Sequence, residues 1–328
     1  MACGEKSTPL AGRYYTGTLF GKPYFIDAVG DSADYTSGID SIVRAFEEAF
    51  DVNNSASIIS QINAYTRRDS VFRFNDSSKV FGMVFDLTRD MNLASQQYYD
   101  PTMGPLRRAW IVANSGGLPE PNLDSIYNFV GFDGAKLDLN EMYDSSNRYF
   151  ESQVRKSDPR IEADFVLIAA ALAMDHMGEY LKNSGVKQYR IRYGKQILTY
   201  GSAVDSLNII SLGVAQDSTD QKLRLQNLAF SSRNNLDKPG MIDPTYGYPV
   251  ENEMVYVAVA APTMVEASVF SETFMMMGLE KAGEYYNENP ETRVQSFMFY
   301  MSDSTLHSAS TIGFDSMLIA PDSAEVAE

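Results

Sequence analysis

Cysteine is almost absent from this chain, with one residue, Cys3, in 328. That excludes an internal disulfide framework and any zinc site built from several thiolates. Histidine is nearly as scarce: only His176 and His307 are present, so no Ser/His/Asp arrangement is legible and no HExxH helix occurs. His176 reads as a surface or interhelical hydrogen-bonding residue, and His307 as part of a polar turn. Walker and Rossmann glycine patterns are missing as well. Positive charge is in deficit, 27 Lys and Arg against 43 Asp and Glu for a net −16, which argues against nucleic acid or anionic lipid headgroups as partners. A small anionic cofactor stays permitted, because a few local donors or a bound metal overcome a distant negative field. No apolar run approaches the roughly 20 residues that span a bilayer. The nearest, around Ala170, is interrupted by Asp175.

What is present is an ordinary globular composition, 44% hydrophobic, long enough for a sizeable core. Neither an internal repeat nor a low-complexity linker divides it. Arg13 to Val29 alternates aromatic and β-branched residues and predicts a hairpin or two short strands. Ile39, Ile42, Val43, Phe46, Ala49 and Phe50 recur at helical spacing, and a second amphipathic helix is expected from Ser78 to Gln97. Asp164 to Val186 reads as a buried helix stopped by Gly185, and Val255 to Pro262 as a strand. Ala215 to Leu225 reads as a loop. Met275, Met276 and Met277 are expected in the core rather than in a soft-metal site.

Two runs share an Asp-Pro-Thr turn. MIDPTYGYPV spans Met241 to Val250, where Asp243 and Pro244 open a tight turn and Gly247 allows a positive φ. YYDPTMGPL spans Tyr99 to Leu106 far upstream. In this order the two runs resemble the ApbE family of bacterial FAD:protein FMN transferases, whose patterns read D-x-T-x-G-P-L and H-x-I-D-P-x-T-G-x-P-V. Asp100, Thr102, Gly104, Pro105 and Leu106 match the first, and Ile242, Asp243, Pro244, Gly247, Pro249 and Val250 the second. Gly240 stands where the family has its His.

The resemblance implies an α+β fold, mixed β-sheets packed with helices and related to the T-fold, with residues 13–319 as a single domain between a polar leader, 1–12, and a disordered tail, 320–328. It also implies FAD and Mg²⁺ as cofactors. Carried over residue by residue, Thr102, Asp164, Ala169, Asp175 and Asp243 are the cofactor-binding candidates. The family's D-L-G-G-I-A-K-G-Y-A-V-D segment falls on Asp164 to Asp175 with both glycines replaced by Val166 and Leu167, and the Lys by Ala170. Between the first helices Ser57, Ile59, Ser60 and Asn63 match, while Asn53 or Asn54 replaces an aromatic that packs near the flavin. Lys195, Gln196, Ser232 and Arg233 take the places of family Gly and Asp residues in two later turns, and Lys22-Pro23 alters the opening strand pattern. The family's Mg²⁺ ligands, an Asp and a Thr four residues on, fall on Ser268 and Glu272. These are a hydroxyl and a carboxylate in exchanged order that either rebuild a metal site or form a partly solvated helix face.

Two functions follow from the resemblance. One is a degenerate homologue with lost or altered catalysis and a ligand-binding or interaction role. The alternative is an active Mg²⁺-dependent transferase that moves FMN from FAD to a Ser or Thr of an exported electron-transfer protein. Ala2-Cys3-Gly4 followed by polar residues resembles a lipoprotein cleavage site. On that basis the protein is expected to be exported, on the periplasmic or cell-surface side, and attached to a membrane only through a lipid on Cys3.

Overall fold

A computed structural model describes residues 11–30, 33–67, 70–116, 119–201, 209–212, 222–234, 236–237 and 240–319. Cys3, most of the leader and the 320–328 tail lie outside the described residues. The predicted hairpin is there, as β1 (Ala11–Leu19) and β2 (Lys22–Gly30), followed by α1 (Thr36–Phe50), α2 (Ile58–Ala64), β3 (Val71–Phe74) and α3 (Val80–Ala94). Then come α4 (Gly104–Gly116), α5 (Leu123–Ile126), β4 (Leu137–Tyr143), β5 (Tyr149–Lys156), α6 (Val166–Asn183), β6 (Gln188–Tyr193) and β7 (Gln196–Tyr200). The remainder is β8 (Ile209–Ser211), β9 (Lys222–Arg224), β10 (Ala229–Asn234), β11 (Ile242–Asp243), β12 (Tyr248–Pro249), β13 (Met254–Ala261), α7 (Met264–Glu288), β14 (Gln295–Ser302), β15 (Thr305–Ser310), α8 (Ile312–Asp315) and β16 (Leu318–Ile319). Within the stretch expected to be a loop, Lys222 to Arg224 instead forms a strand of a small sheet ordered β16-β9-β8.

The architecture is α+β, as expected. An eight-stranded antiparallel sheet, ordered β1-β2-β6-β7-β10-β13-β14-β15, is its centre. Its central strand β13 shows why the sequence there is continuously apolar. Val257, Val259 and Ala261 face one core, with α6 and α7, while Tyr256, Ala258 and Ala260 face a second, with Phe297, Phe299 and Phe314. A strand buried on both faces has no polar side to alternate with.

Two helices on the first face carry the candidate site. α6 is buried along most of its length and ends where Gly185 takes φ +92°, a left-handed stop that a Cβ would strain. α7 begins with a full capping box, in which Thr263 accepts from Glu266 N and the Glu266 carboxylate answers to Thr263 N. Gly278, at φ +80°, breaks this helix. Asn252 Nδ2 caps the carbonyls of Met275 and Met276 at 3.0 and 3.1 Å, and Glu253 accepts from Leu279 N at 2.6 Å. Each half therefore gains side-chain partners for backbone groups that the break exposes. Met275, Met276 and Met277 are buried, as expected. His176 lies between helices, its ring edge-on to Phe46 at 5.4 Å.

Candidate functional site

The first Asp-Pro-Thr turn is a buried staple. Asp100 Oδ1 accepts from Thr102 N at 2.7 Å and Thr102 Oγ1 at 2.6 Å, and its Oδ2 accepts from Phe132 N at 2.9 Å. Thr102 Oγ1 in turn accepts from Gly131 N at 2.7 Å. Burial pushes the Asp100 carboxyl above its ordinary range, against the pull of the Thr102 and Phe132 donors. The staple fixes the start of α4 and docks the 131–132 loop beside it. Thr102 is fully buried, so it acts here by holding the turn.

The second turn is held from outside. Asp243 Oδ1 accepts from Thr245 N at 2.8 Å and its carbonyl from Gly247 N at 2.7 Å, closing the β11–β12 hairpin with Gly247 at φ +75°. Trp110, on α4, donates its indole N–H to the Gly247 carbonyl at 2.7 Å. α4 thus starts at one turn and grips the other. Asp243 stands 4.0 Å from Lys281 Nζ.

Around this frame three cavities share walls. One of about 710 Å³ lies between α2, α4 and the segment before α6, and includes Asn53, Ser60, Asn63 and Asp164. Asn63 shapes it: its side-chain amide pairs with Ala163 in both directions, donating to the carbonyl and accepting from N–H at 2.9 Å each. Behind that wall Lys156 Nζ donates to the carbonyls of Asn63, Pro159 and Ile161 at 3.1 to 3.2 Å. Burial pulls this ammonium down to about 8, so it remains charged at neutral pH.

A second cavity, about 250 Å³, shares Pro101, Gly104, Arg107 and Asp164 with the first and adds Glu272. A third, about 360 Å³, shares Lys22, Val166 and Leu167 with the second and adds Ala170, Lys195 and Arg233. Asp164 sits on the rim between the first two. Its N–H donates to the Pro101 carbonyl and its Oδ1 accepts from Val166 N, both at 2.9 Å.

The candidates taken from sequence divide accordingly. Asp164 lines the cleft, and Asp243 lies in the hairpin beside it. Ala169 does not line these cavities: on α6 the residues that do are Val166, Leu167 and Ala170, and Ala169, fully buried, falls on another face of the same turn. Asp175 is a helix cap. Its Oδ1 and Oδ2 accept from Met264 N at 2.9 and 3.1 Å, and Oδ2 also from Val265 N at 3.4 Å, so it secures the start of α7. Burial raises its pKa to about 7.

Ser268 and Glu272 do not form a common ligand set. Ser268 is fully buried, donates to the Met264 carbonyl at 2.7 Å and accepts from Gln196 Nε2 at 2.5 Å. Glu272 Oε2 instead meets Arg233 Nη2 at 3.3 Å, while Arg233 Nη1 holds the Ser232 carbonyl at 3.1 Å. A cation brought to that carboxylate is repelled by the guanidinium, at roughly 4 kcal/mol per unit charge for about 4 Å in an effective dielectric near 20. Among the described residues no group of three or more His, Cys, Asp or Glu is placed to hold a metal. The residues present do not fit a Mg²⁺ ion.

Three cationic residues that depart from the family pattern, Lys22, Lys195 and Arg233, line the third cavity, where Asp237 is the one carboxylate among the described residues. The side chains of Lys22 and Arg107 form no ion pair or hydrogen bond among the described residues. Lys195 pairs with Asp237 at 2.8 Å. Gly240 takes φ +105°, and a Cβ there would stand 3.7 Å from Arg107 Cδ. A side chain at this position has room but meets a strained backbone.

Among curated relatives, the chain is 23% identical to the FAD:protein FMN transferase of Vibrio cholerae over 84% of this chain and 81% of that protein. It is 24% identical to the enzyme of the same name from Escherichia coli over 68% of each. Its fold matches the apo flavinyl transferase ApbE of Pseudomonas stutzeri with a TM-score of 0.75 at 18% identity, covering 95% of this chain and 98% of that one. The flavin transferase ApbE from Vibrio cholerae gives 0.74 at 19% identity, covering 94% and 100%. With a family model matching residues 17–296 as well, the chain belongs to the ApbE family.

Proposed function

We propose that this chain is a binding member of the ApbE family: its cleft takes a flavin nucleotide or a ligand of the same build, and it does not transfer FMN. The observation that carries this reading is the Arg233–Glu272 pair at 3.3 Å, which occupies the carboxylate that a metal-dependent transfer would need. Two further features support it. Ser268, the other residue at the family's metal positions, is buried and bonded on both sides. Leu167 and Val166 fill the stretch where family glycines let backbone approach phosphate. Transfer would release AMP from FAD as FMN joins the hydroxyl of an acceptor. The purified protein, given FAD, Mg²⁺ and the acceptor protein of a relative that performs the reaction, should release no AMP and leave the acceptor's mass unchanged. Flavinylation that disappears in Glu272→Ala would overturn the reading and establish an active transferase. Export and a lipid on Cys3 are proposed on the Ala-Cys-Gly sequence alone. Radiolabelled palmitate that enters the wild type but not Cys3→Ser is the expected result, and label in neither would remove the proposal.

A further inference from the structure

The third cavity holds a combination that composition makes unexpected. In a chain of net charge −16, its wall carries, among the described residues, Lys22, Lys195 and Arg233 against Asp237. Ala170, where the family places a Lys, lines the same cavity. The charge absent from α6 is thus present in the same cavity on other elements: Lys22 at the head of β2, Lys195 between β6 and β7, and Arg233 on β10. Arg233 also stands at the boundary with the second cavity, through its bond to Glu272. Two of its nitrogens are engaged by Glu272 and Ser232, and its Nε has no hydrogen-bond partner among the described residues. A guanidinium anchored in this way is pre-organised, and its remaining donor and charge suit a phosphate oxygen. Lys22, which borders both cavities beside Val166 and Leu167 and whose side chain forms no ion pair or hydrogen bond among the described residues, adds a second charge.

We infer that Arg233, with Lys22 and Lys195, supplies the positive charge for the phosphate or pyrophosphate of the bound ligand, so that the cleft binds it without a divalent metal. This rests on the reading of the cleft as a nucleotide site. The pair with Glu272 keeps Arg233 compensated when the cleft is empty, and the ligand phosphate approaches an existing cation rather than an imported one.

Calorimetry with FAD, and with riboflavin as the probe that lacks phosphate, tests the inference. FAD should bind with the same Kd in EDTA as in excess Mg²⁺, within about twofold, and Arg233→Gln should weaken FAD by about 10- to 100-fold while leaving riboflavin unchanged. Lys22→Gln, an exposed position whose change should not disturb the fold, should weaken FAD less, by about 3- to 10-fold. Arg233→Asp, which puts a second carboxylate beside Glu272, should bind Mn²⁺ detectably by electron paramagnetic resonance where the wild type does not. FAD binding that appears only with Mg²⁺, or wild-type Mn²⁺ binding, would overturn the inference and leave the nucleotide reading intact. Failure of both FAD and riboflavin to bind would overturn both. Equal loss of FAD and riboflavin in Arg233→Gln would show that Arg233 shapes the cavity rather than meeting phosphate, and would also overturn it.

Discussion

The two Asp-Pro-Thr turns and the cation-lined wall lie side by side, yet they depend on different physics. In the turns, the bonds are short and mostly shielded: Asp100 and Thr102 satisfy each other and the 131–132 backbone, and Trp110 holds the Gly247 carbonyl. Along the wall, the charged side chains are partly open to water. A buried polar network tolerates little change, because any lost partner leaves a desolvated group behind. A charge at a cleft edge can move from one element to another and still act on the same ligand. The scaffold therefore depends on particular residues, while the wall depends on the sign of its charge.

The scaffold should respond most strongly to substitution. Trp110→Ala removes a buried ring and the indole bond, and should lower stability by about 3–5 kcal/mol in chemical denaturation. A loss below about 1 kcal/mol would mean that α4 does not brace the hairpin. Next is Asp175. Its native pKa of about 7 exceeds the unfolded value near 3.9, so the native state holds the extra proton between them. Stability should then fall as pH rises through that window, with a slope approaching about 1.4 kcal/mol per pH unit, and level off above it. Asp175→Asn should remove this slope, and an unchanged slope in denaturation curves from pH 4 to 7 would assign it elsewhere.

Thr102→Val keeps the shape of the side chain but leaves Gly131 N and one Asp100 lone pair without the hydroxyl. It should cost about 1–3 kcal/mol, read as a lower denaturation midpoint at unchanged slope. The smallest stability effect belongs to the wall. Glu272→Ala should change stability by about 1 kcal/mol or less and leave FAD affinity equal or improved, because it removes a competitor for Arg233. A loss of FAD affinity in that variant would make Glu272 a ligand-side residue rather than a competitor for Arg233.

How much of this was legible in the sequence follows the same division. Helical spacing in α1 and α3, the apolar length of α6 and its Gly185 stop were readable because burial writes itself as periodicity. The role of Asn63 was visible only as a matching letter, since its partner Ala163 lies 100 residues away. Ala169 and Asp175 were placed in the cleft because they fit a linear pattern. The helix turns them toward other neighbours, one into the core and one onto the start of α7. Arg233 and Lys195 read as losses of Asp and Gly, since a substitution shows what it removes but not what it now faces. Only the pairing of β10 beside β7 and β13, with α7 packed across them, shows that these residues add charge to one cavity.

Whether the cleft persists with the protein's own cations in place of the metal is read from the FAD-induced rise in melting temperature, measured in EDTA and again in excess Mg²⁺. The rise should be the same in both. A rise that requires Mg²⁺ would show that a metal, not Arg233, Lys22 and Lys195, meets the phosphates.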